Sequence, residues 1–216
     1  MFTYASHHWA KVMLAISIAV VLTACGGGSD GGSQQPNTPP ATPEALAKYQ
    51  GTWIAGCEPD TTTSTSEIET IVFTVVGANL SAVSKTDYYS GTSCAGSAFA
   101  SVTDLASSVS FSGTKTVGTD TVDKVTATIP AGTPTFTGTA YIETGAACGS
   151  VPSVAVPLGG RLLCSNIPTS TSTAKTILLL SSNGNVLNAG DNDSNRSFDA
   201  EGFPNVLDTT DTYNKQ

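Results

Sequence analysis

The stretch IETIVFTVVGANLSAVSKTDYY, residues 68–89, decides the fold class. Its first half, from Ile68 to Val76, is rich in apolar and β-branched residues, and Leu80 to Tyr89 continue in the same manner. Residues of these types favour strands, and Gly77-Ala78-Asn79 between them is typical of a tight turn. We therefore predict an antiparallel hairpin.

Similar patterns recur along the rest of the chain. Within 135–142, alternation predicts that Phe136, Ala140 and Ile142 share one face of a strand. The Asn183-Gly184 pair between two short apolar runs predicts another hairpin. Further strands are predicted at 102–111, 122–129, 135–143, 154–163, 177–180 and 186–187. This spacing indicates eight to ten strands in an all-β fold, either an antiparallel up-and-down barrel or a β-sandwich.

The β domain is predicted to span residues 44–216 as a single unit. Thr42 and Pro43 are typical of a helix start, so a short helix to about Tyr49 is expected before the first strand. Charged residues make up only 12% of the chain, whereas 32 Thr and 25 Ser favour strands and turns. The net charge of −8 excludes a non-specific nucleic-acid binder, which needs Lys and Arg to neutralise phosphates.

The first 24 residues have the pattern of a signal peptide. Lys11 precedes an apolar run from Val12 to Leu22, which is too short to span a bilayer. The run ends in Leu22-Thr23-Ala24-Cys25, which resembles the bacterial lipobox. That resemblance implies cleavage before Cys25 and attachment of acyl chains to it, hence anchoring in a membrane. By the same resemblance, Gly26 after the cysteine implies the outer membrane of the cell envelope, with either face left open.

Residues 25–43 combine the lipidated cysteine with a predicted tether. The segment GGGSDGGSQQPNTPPATP, residues 26–43, has no large apolar side chain and cannot join a core. Chains of this composition span roughly 23 Å between their ends at this length.

Removal of residues 1–24 would also remove His7 and His8, the only histidines, together with both methionines. The remaining chain then has no Ser-His-Asp or Cys-His nucleophile system and no His-ligated zinc, copper or haem site. We therefore expect neither an enzyme nor a cofactor.

Four cysteines follow the lipobox: Cys57, Cys94, Cys148 and Cys164. In an oxidising compartment an even number predicts two disulfides, for which three connectivities are possible. Pairing of sequential neighbours, Cys57 with Cys94 and Cys148 with Cys164, is preferred here. A Cys₄ metal site is the alternative, and the absence of C-x-x-C spacing disfavours it.

Gly51-Thr52-Trp53 lies just before the predicted strands and resembles the G-x-W motif of the lipocalin (calycin) superfamily. The resemblance implies an up-and-down barrel with Trp53 closing one end and an arginine, here Arg161 or Arg196, packed on it. The late T-D-Y motif of that superfamily is absent from its usual place, since Thr86-Asp87-Tyr88 comes too early. The other interpretation is that Trp53 is the core anchor of another β fold.

Three further groups of residues are candidate sites. Asp191, Asp193 and Asn195 offer the hard oxygen ligands that calcium prefers, but the EF-hand spacing fails, so a solvated acidic loop is favoured. Glu67 and Glu69 share one face of a strand, and Ser112 and Lys115 match an S-x-x-K spacing. Neither pair has the companion residues that catalysis would need.

Two functions remain open on these grounds. The first is a lipocalin-like binding module whose barrel holds a small apolar or amphipathic ligand. The alternative is a structural or interaction lipoprotein that contacts another envelope component through its surface. The first predicts an apolar cavity of about 300 Å³ or more, and the second predicts a filled core.

Overall fold

The computed structural model describes residues 44–193 and 195–216. These residues form an all-β domain, as predicted. The fourteen strands are β1 (Gly51–Ala55), β2 (Glu58–Asp60), β3 (Thr65–Val76), β4 (Asn79–Ser90), β5 (Ala100–Thr103), β6 (Ser107–Val117), β7 (Asp120–Ile129), β8 (Thr135–Gly138), β9 (Tyr141–Glu143), β10 (Ser153–Leu158), β11 (Arg161–Asn166), β12 (Ser172–Leu180), β13 (Val186–Gly190) and β14 (Leu207–Lys215).

Eight of these strands close into a ring. Around the ring, β1, β3, β4, β6, β7, β12, β13 and β14 follow one another in chain order, and β14 pairs with β1. Every pairing is antiparallel, so this part is an up-and-down barrel. An eight-stranded barrel has an interior just wide enough for side chains to fill it or for one small ligand.

A smaller lobe extends from one end of the barrel. The long hairpin of β3 and β4 continues past the ring, and β2, β5 and β8 add to its edges. A separate sheet in the order β11-β10-β9 packs over it around Tyr88, Val102, Val154 and Leu163. The protein therefore combines a barrel with a sandwich-like lobe, the two architectures that the sequence left open.

The predicted hairpin of residues 68–89 is confirmed. Val76 pairs with Asn79, and Gly77, in the left-handed region at φ 62°, turns the chain between them. The Asn183-Gly184 hairpin is also present between β12 and β13.

Three predicted strands are each divided in two, and β1, β2 and β14 are additional, which is why fourteen strands are observed instead of eight to ten. Residues 102–111 become β5 and β6 because β4 is long enough to pair with both. Residues 154–163 become β10 and β11, joined by Gly159 and Gly160.

The third divided segment, 135–143, contributes β8 and β9 to different sheets. The chain bends at Gly138, where a side chain would collide with the carbonyl oxygen of Phe99. Phe136 and Ala140 do pack in the lobe core, but Ile142 lies on β9 in the other sheet and is exposed. The prediction that all three share one face of a single strand is therefore wrong.

The predicted helix before the first strand is not confirmed at its expected length. Only one turn, α1 (Glu44–Ala47), is helical. Leu46 and Tyr49 nevertheless enter the barrel core and plug the end at which β1 begins. We call this the plugged end, and it also carries the turns 77–78, 118–119 and 181–185.

Candidate functional site

Trp53, the residue of the G-x-W pattern, lies at the plugged end. The indole is fully buried, and its Nε1 donates a hydrogen bond to the carbonyl oxygen of Tyr49 at 2.7 Å. The cation over its ring is Lys215, whose Nζ lies 5.3 Å from the ring centroid. The expected arginine is therefore wrong: Arg161 is exposed at the β10–β11 turn, and Arg196 pairs with Asp191.

Lys215 reaches Trp53 because of the ring closure. The two residues are direct partners in the β1–β14 register. The sequence could have identified Lys215 as the partner of Trp53 only on the assumption that the first and last strands pair. Local sequence patterns do not show which distant strands pair.

Tyr49 seals the plugged end through a buried hydrogen bond. Its hydroxyl donates to Asp123 Oδ2 at 2.7 Å, and Lys48 Nζ lies 2.7 Å from the same oxygen. Burial and the Asp123 carboxylate raise the pKa of Tyr49 well above its ordinary value. The phenol therefore stays protonated and remains a donor. This hydrogen bond thus closes the end of the barrel permanently and does not change with pH.

The interior of the barrel is occupied by the protein's own side chains. Trp53, Ile71, Leu178 and Leu187 retain 0% of their surface exposed, and Phe73 and Tyr213 retain 1%. Side chains that lined a space large enough for water would keep some accessible surface. The positions around these residues are therefore close-packed, as in an ordinary core.

One polar group lies inside this core. Glu69 is buried, with its two carboxylate oxygens accepting hydrogen bonds from Ser84 Oγ at 2.6 Å and Tyr213 Oη at 2.8 Å. Burial and the charge of Glu69 raise the pKa of Tyr213 well above its ordinary value, so that the phenol stays a donor. Glu67 lies on the same face of β3 as Glu69, but farther along the strand, in the lobe, where its register partners are Glu58 and Tyr88.

Asp104 adds a second carboxyl group beside this one. Its backbone N–H donates to the carbonyl oxygen of Ser84, the residue whose side chain bonds Glu69. Desolvation of the carboxyl group, and then the charge of Glu69, raise the pKa of Asp104 to about 6. The residue as a whole is nevertheless exposed, so solvent screens part of this interaction.

We predict that Asp104→Asn makes the protein more stable at pH 7.5 by about 1 kcal/mol, after allowance for screening. A carboxyl group whose folded-state pKa is raised from 3.8 to about 6 favours folding less as the pH rises through that window. The stability of the wild type should therefore decline between about pH 4 and pH 6, and this decline should be absent from the variant. Urea unfolding across this pH range measures the change in stability. Asp120→Asn, at an exposed position at the start of β7, is the control. An equal effect in both variants would contradict the assignment to the Glu69 neighbourhood.

The cysteines form the preferred pairs. Cys57 joins Cys94 with their Cα atoms 5.8 Å apart, and Cys148 joins Cys164 with a Cα separation of 5.6 Å. The first links the connection between β1 and β2 to the loop after β4, and the second fastens the 3₁₀ turn Ala146–Cys148 to β11. On the chain-entropy model these loops contribute about 4 and about 3 kcal/mol, respectively.

The calcium candidates lie in a segment that crosses the outside of the barrel. We call residues 191–193 and 195–206 the strap. Asp191 Oδ2 accepts a hydrogen bond from Arg196 Nε at 2.7 Å, so a guanidinium occupies the position beside this carboxylate. Asp193 and Asn195 are exposed. Across residues 44–193 and 195–216, no three His, Cys, Asp or Glu side chains are grouped so as to hold a metal ion.

Lysines hold the strap to the barrel wall. Lys115 Nζ contacts Asp199 Oδ2 and Asn205 Oδ1, both at 2.7 Å, and Lys124 Nζ contacts Glu201 Oε2 at 2.8 Å. Phe203 is buried against Val122 and Ile177. Ser112, the other member of the S-x-x-K spacing, bonds Thr126 instead, so the two residues of that spacing have separate structural partners.

Cys25, the predicted lipidation residue, lies outside the described residues, as do the predicted signal peptide and tether. Within the part of the chain that the structure describes, no helix is long and apolar enough to span a bilayer. No protein-family model, curated protein or solved structure matches this chain.

Proposed function

We propose that the chain is a non-enzymatic lipoprotein of the cell envelope, anchored through acyl chains on Cys25, whose folded domain contacts another envelope component through its surface. The lipobox-like residues 22–25 support the anchor, and Gly26 supports the outer membrane. The lack of histidine and methionine after residue 24 supports a role without catalysis or a cofactor.

The filled barrel is the observation that carries this choice between the two functions. A carrier of a small apolar ligand needs an interior pocket of about 300 Å³ or more. The inward side chains are instead buried against one another, and the polar atoms of Glu69 are occupied by Ser84 and Tyr213. Recognition is then left to the outer surface.

The lobe supplies an apolar surface suited to that purpose. Tyr141 and Ile142 on the edge strand β9, and Val151 just before β10, are large hydrophobic residues that remain exposed. Exposed apolar groups on an unpaired strand edge are typical of sites where another polypeptide docks.

A lipocalin-like binding module is the second candidate. The eight-stranded up-and-down order of the ring and the position of Trp53 at the plugged end favour it. This candidate requires the core around Phe73 and Tyr213 to open when a ligand binds.

A crosslinking experiment in cells separates the two. A photo-reactive residue would replace Ile142 in the full chain, with Val72 on the barrel wall as the control, because their exposed fractions match at 40% and 38%. We expect a polypeptide adduct from position 142 and little from position 72. Native mass spectra of the purified protein, before and after unfolding, provide the other arm. A small mass lost on unfolding, without any adduct at 142, would overturn the interaction proposal in favour of the binding module.

A further inference from the structure

We propose that the plugged end of the barrel is a membrane-facing surface, which lies against the bilayer that holds the acyl anchor while the lobe points away. This inference rests on the proposed anchor at Cys25. To the proposed function it adds an orientation: it states which part of the domain contacts the lipid and which part faces a partner.

The first support is where the described chain begins. Residue 44 enters at the plugged end, because Gly51 pairs with Phe73 near the β3–β4 turn and Tyr49 packs beneath it. Only residues 26–43 separate this end from the proposed lipid anchor, a typical span of roughly 23 Å. The lobe end lies farther off, since the ten residues of β3 from Glu67 to Val76 alone cover about 30 Å.

The second support is the distribution of charge. Apart from the strap, the lobe end of the described chain carries eight carboxylates against Lys85 and Arg161. They are Glu58, Asp60, Glu67, Asp87, Asp104, Glu143, Asp208 and Asp211. The plugged end carries Lys48 and Lys215 against Glu44, Asp120 and Asp123.

An anionic lipid surface therefore repels the lobe end more strongly than the plugged end. Charges interact appreciably only within about 10 Å at ordinary ionic strength. The lobe carboxylates would be repelled if that end approached the bilayer, but they lie beyond this range when the plugged end approaches it.

The third support is an exposed apolar tip. Val76, at the β3–β4 turn, is 60% exposed, and Ala78 beside it is exposed as well. Transfer of the exposed part of Val76 into the interfacial region favours this orientation by about fivefold in population. The tether keeps the domain close to the surface, so that a preference of this size is enough to orient it.

Tryptophan quenching by lipid tests this orientation. After processing, the only tryptophan is Trp53, which is fully buried and gives a constant background. The acylated full-length variants Val76→Trp and Tyr141→Trp would be reconstituted into vesicles of phosphatidylethanolamine and phosphatidylglycerol with a brominated phospholipid. We expect the quenching at position 76 to exceed that at position 141 by about fivefold.

Equal quenching at the two positions, no quenching at either, or stronger quenching at position 141 would overturn the inference. If Val76→Trp fails to fold, Ala78→Trp on the same turn takes its place. Intact mass spectra of the membrane-purified protein test the anchor separately. A chain without acyl mass on Cys25 contradicts the proposed function, whereas an acylated chain with the wrong quenching pattern contradicts only the orientation.

Discussion

Trp53→Ala is expected to lower the free energy of unfolding by about 3–5 kcal/mol, the usual cost of truncating a fully buried large aromatic residue. The indole fills the core beside the plugged end, donates to the carbonyl oxygen of Tyr49 and lies under Lys215. Its removal leaves a cavity and takes the indole donor away from the buried carbonyl of Tyr49. Lys215 also loses its cation–π contact.

Trp53→Phe separates these contributions. It keeps an aromatic ring but has no N–H, so we expect a loss of only about 1–2 kcal/mol, mostly from the unsatisfied Tyr49 carbonyl. Far-UV circular dichroism in urea is the suitable measurement, because both variants lack the tryptophan that fluorescence would report. A Trp53→Ala variant within 1 kcal/mol of the wild type would contradict the placement of this residue in the barrel core.

Phe203→Ala should have an effect of similar size, about 3–5 kcal/mol if the strap and the barrel unfold together. The ring is buried against Val122 and Ile177, with Lys124 Nζ 4.9 Å and Lys175 Nζ 5.2 Å from its centroid. Without the ring, the strap retains ion pairs and single hydrogen bonds to the barrel, such as those of Lys115 to Asp199 and Asn205. Partly exposed contacts of this kind contribute little each.

Phe203→Leu is the matched control for the ring. It preserves most of the apolar volume but loses both cation–π contacts, so a loss of about 1 kcal/mol is expected. Hydrogen exchange at Glu201 and Phe203, whose amides donate to Asp199 Oδ1, shows whether the strap opens locally. If exchange at these two amides were unchanged in Phe203→Ala, Phe203 would not be the residue that fastens the strap.

These two aromatic residues differ in how visible they are from the sequence. Trp53 sits in a G-x-W pattern, and its role at one end of a barrel could be anticipated. Phe203 lies in an acidic segment that reads as a solvated loop, and nothing near it marks a buried anchor. Its burial depends on Val122 and Ile177, which come from strands far away in the chain.

The two carboxylates of β3, Glu67 and Glu69, also show which features are visible from the sequence and which are not. Alternation places Glu67 and Glu69 on one face, as expected. The sequence does not show that the hairpin outgrows the ring, so that Glu69 lies in the barrel interior and Glu67 in the lobe. Strand length and sheet membership come from pairing partners, which local periodicity does not specify.

The sequence left three cysteine pairings open, and the structure has the preferred one. From the amino-acid sequence alone, the all-β class, the hairpin at 68–89 and the Asn-Gly hairpin could be determined. Each depends on residues close together in the chain, where turn chemistry and alternation act directly. Only the tertiary structure decided that β14 closes the ring on β1, that Lys215 covers Trp53, that the core is filled and that a lobe is added at one end. These features arise from contacts between distant segments, and their registers are selected by the packing of the whole core.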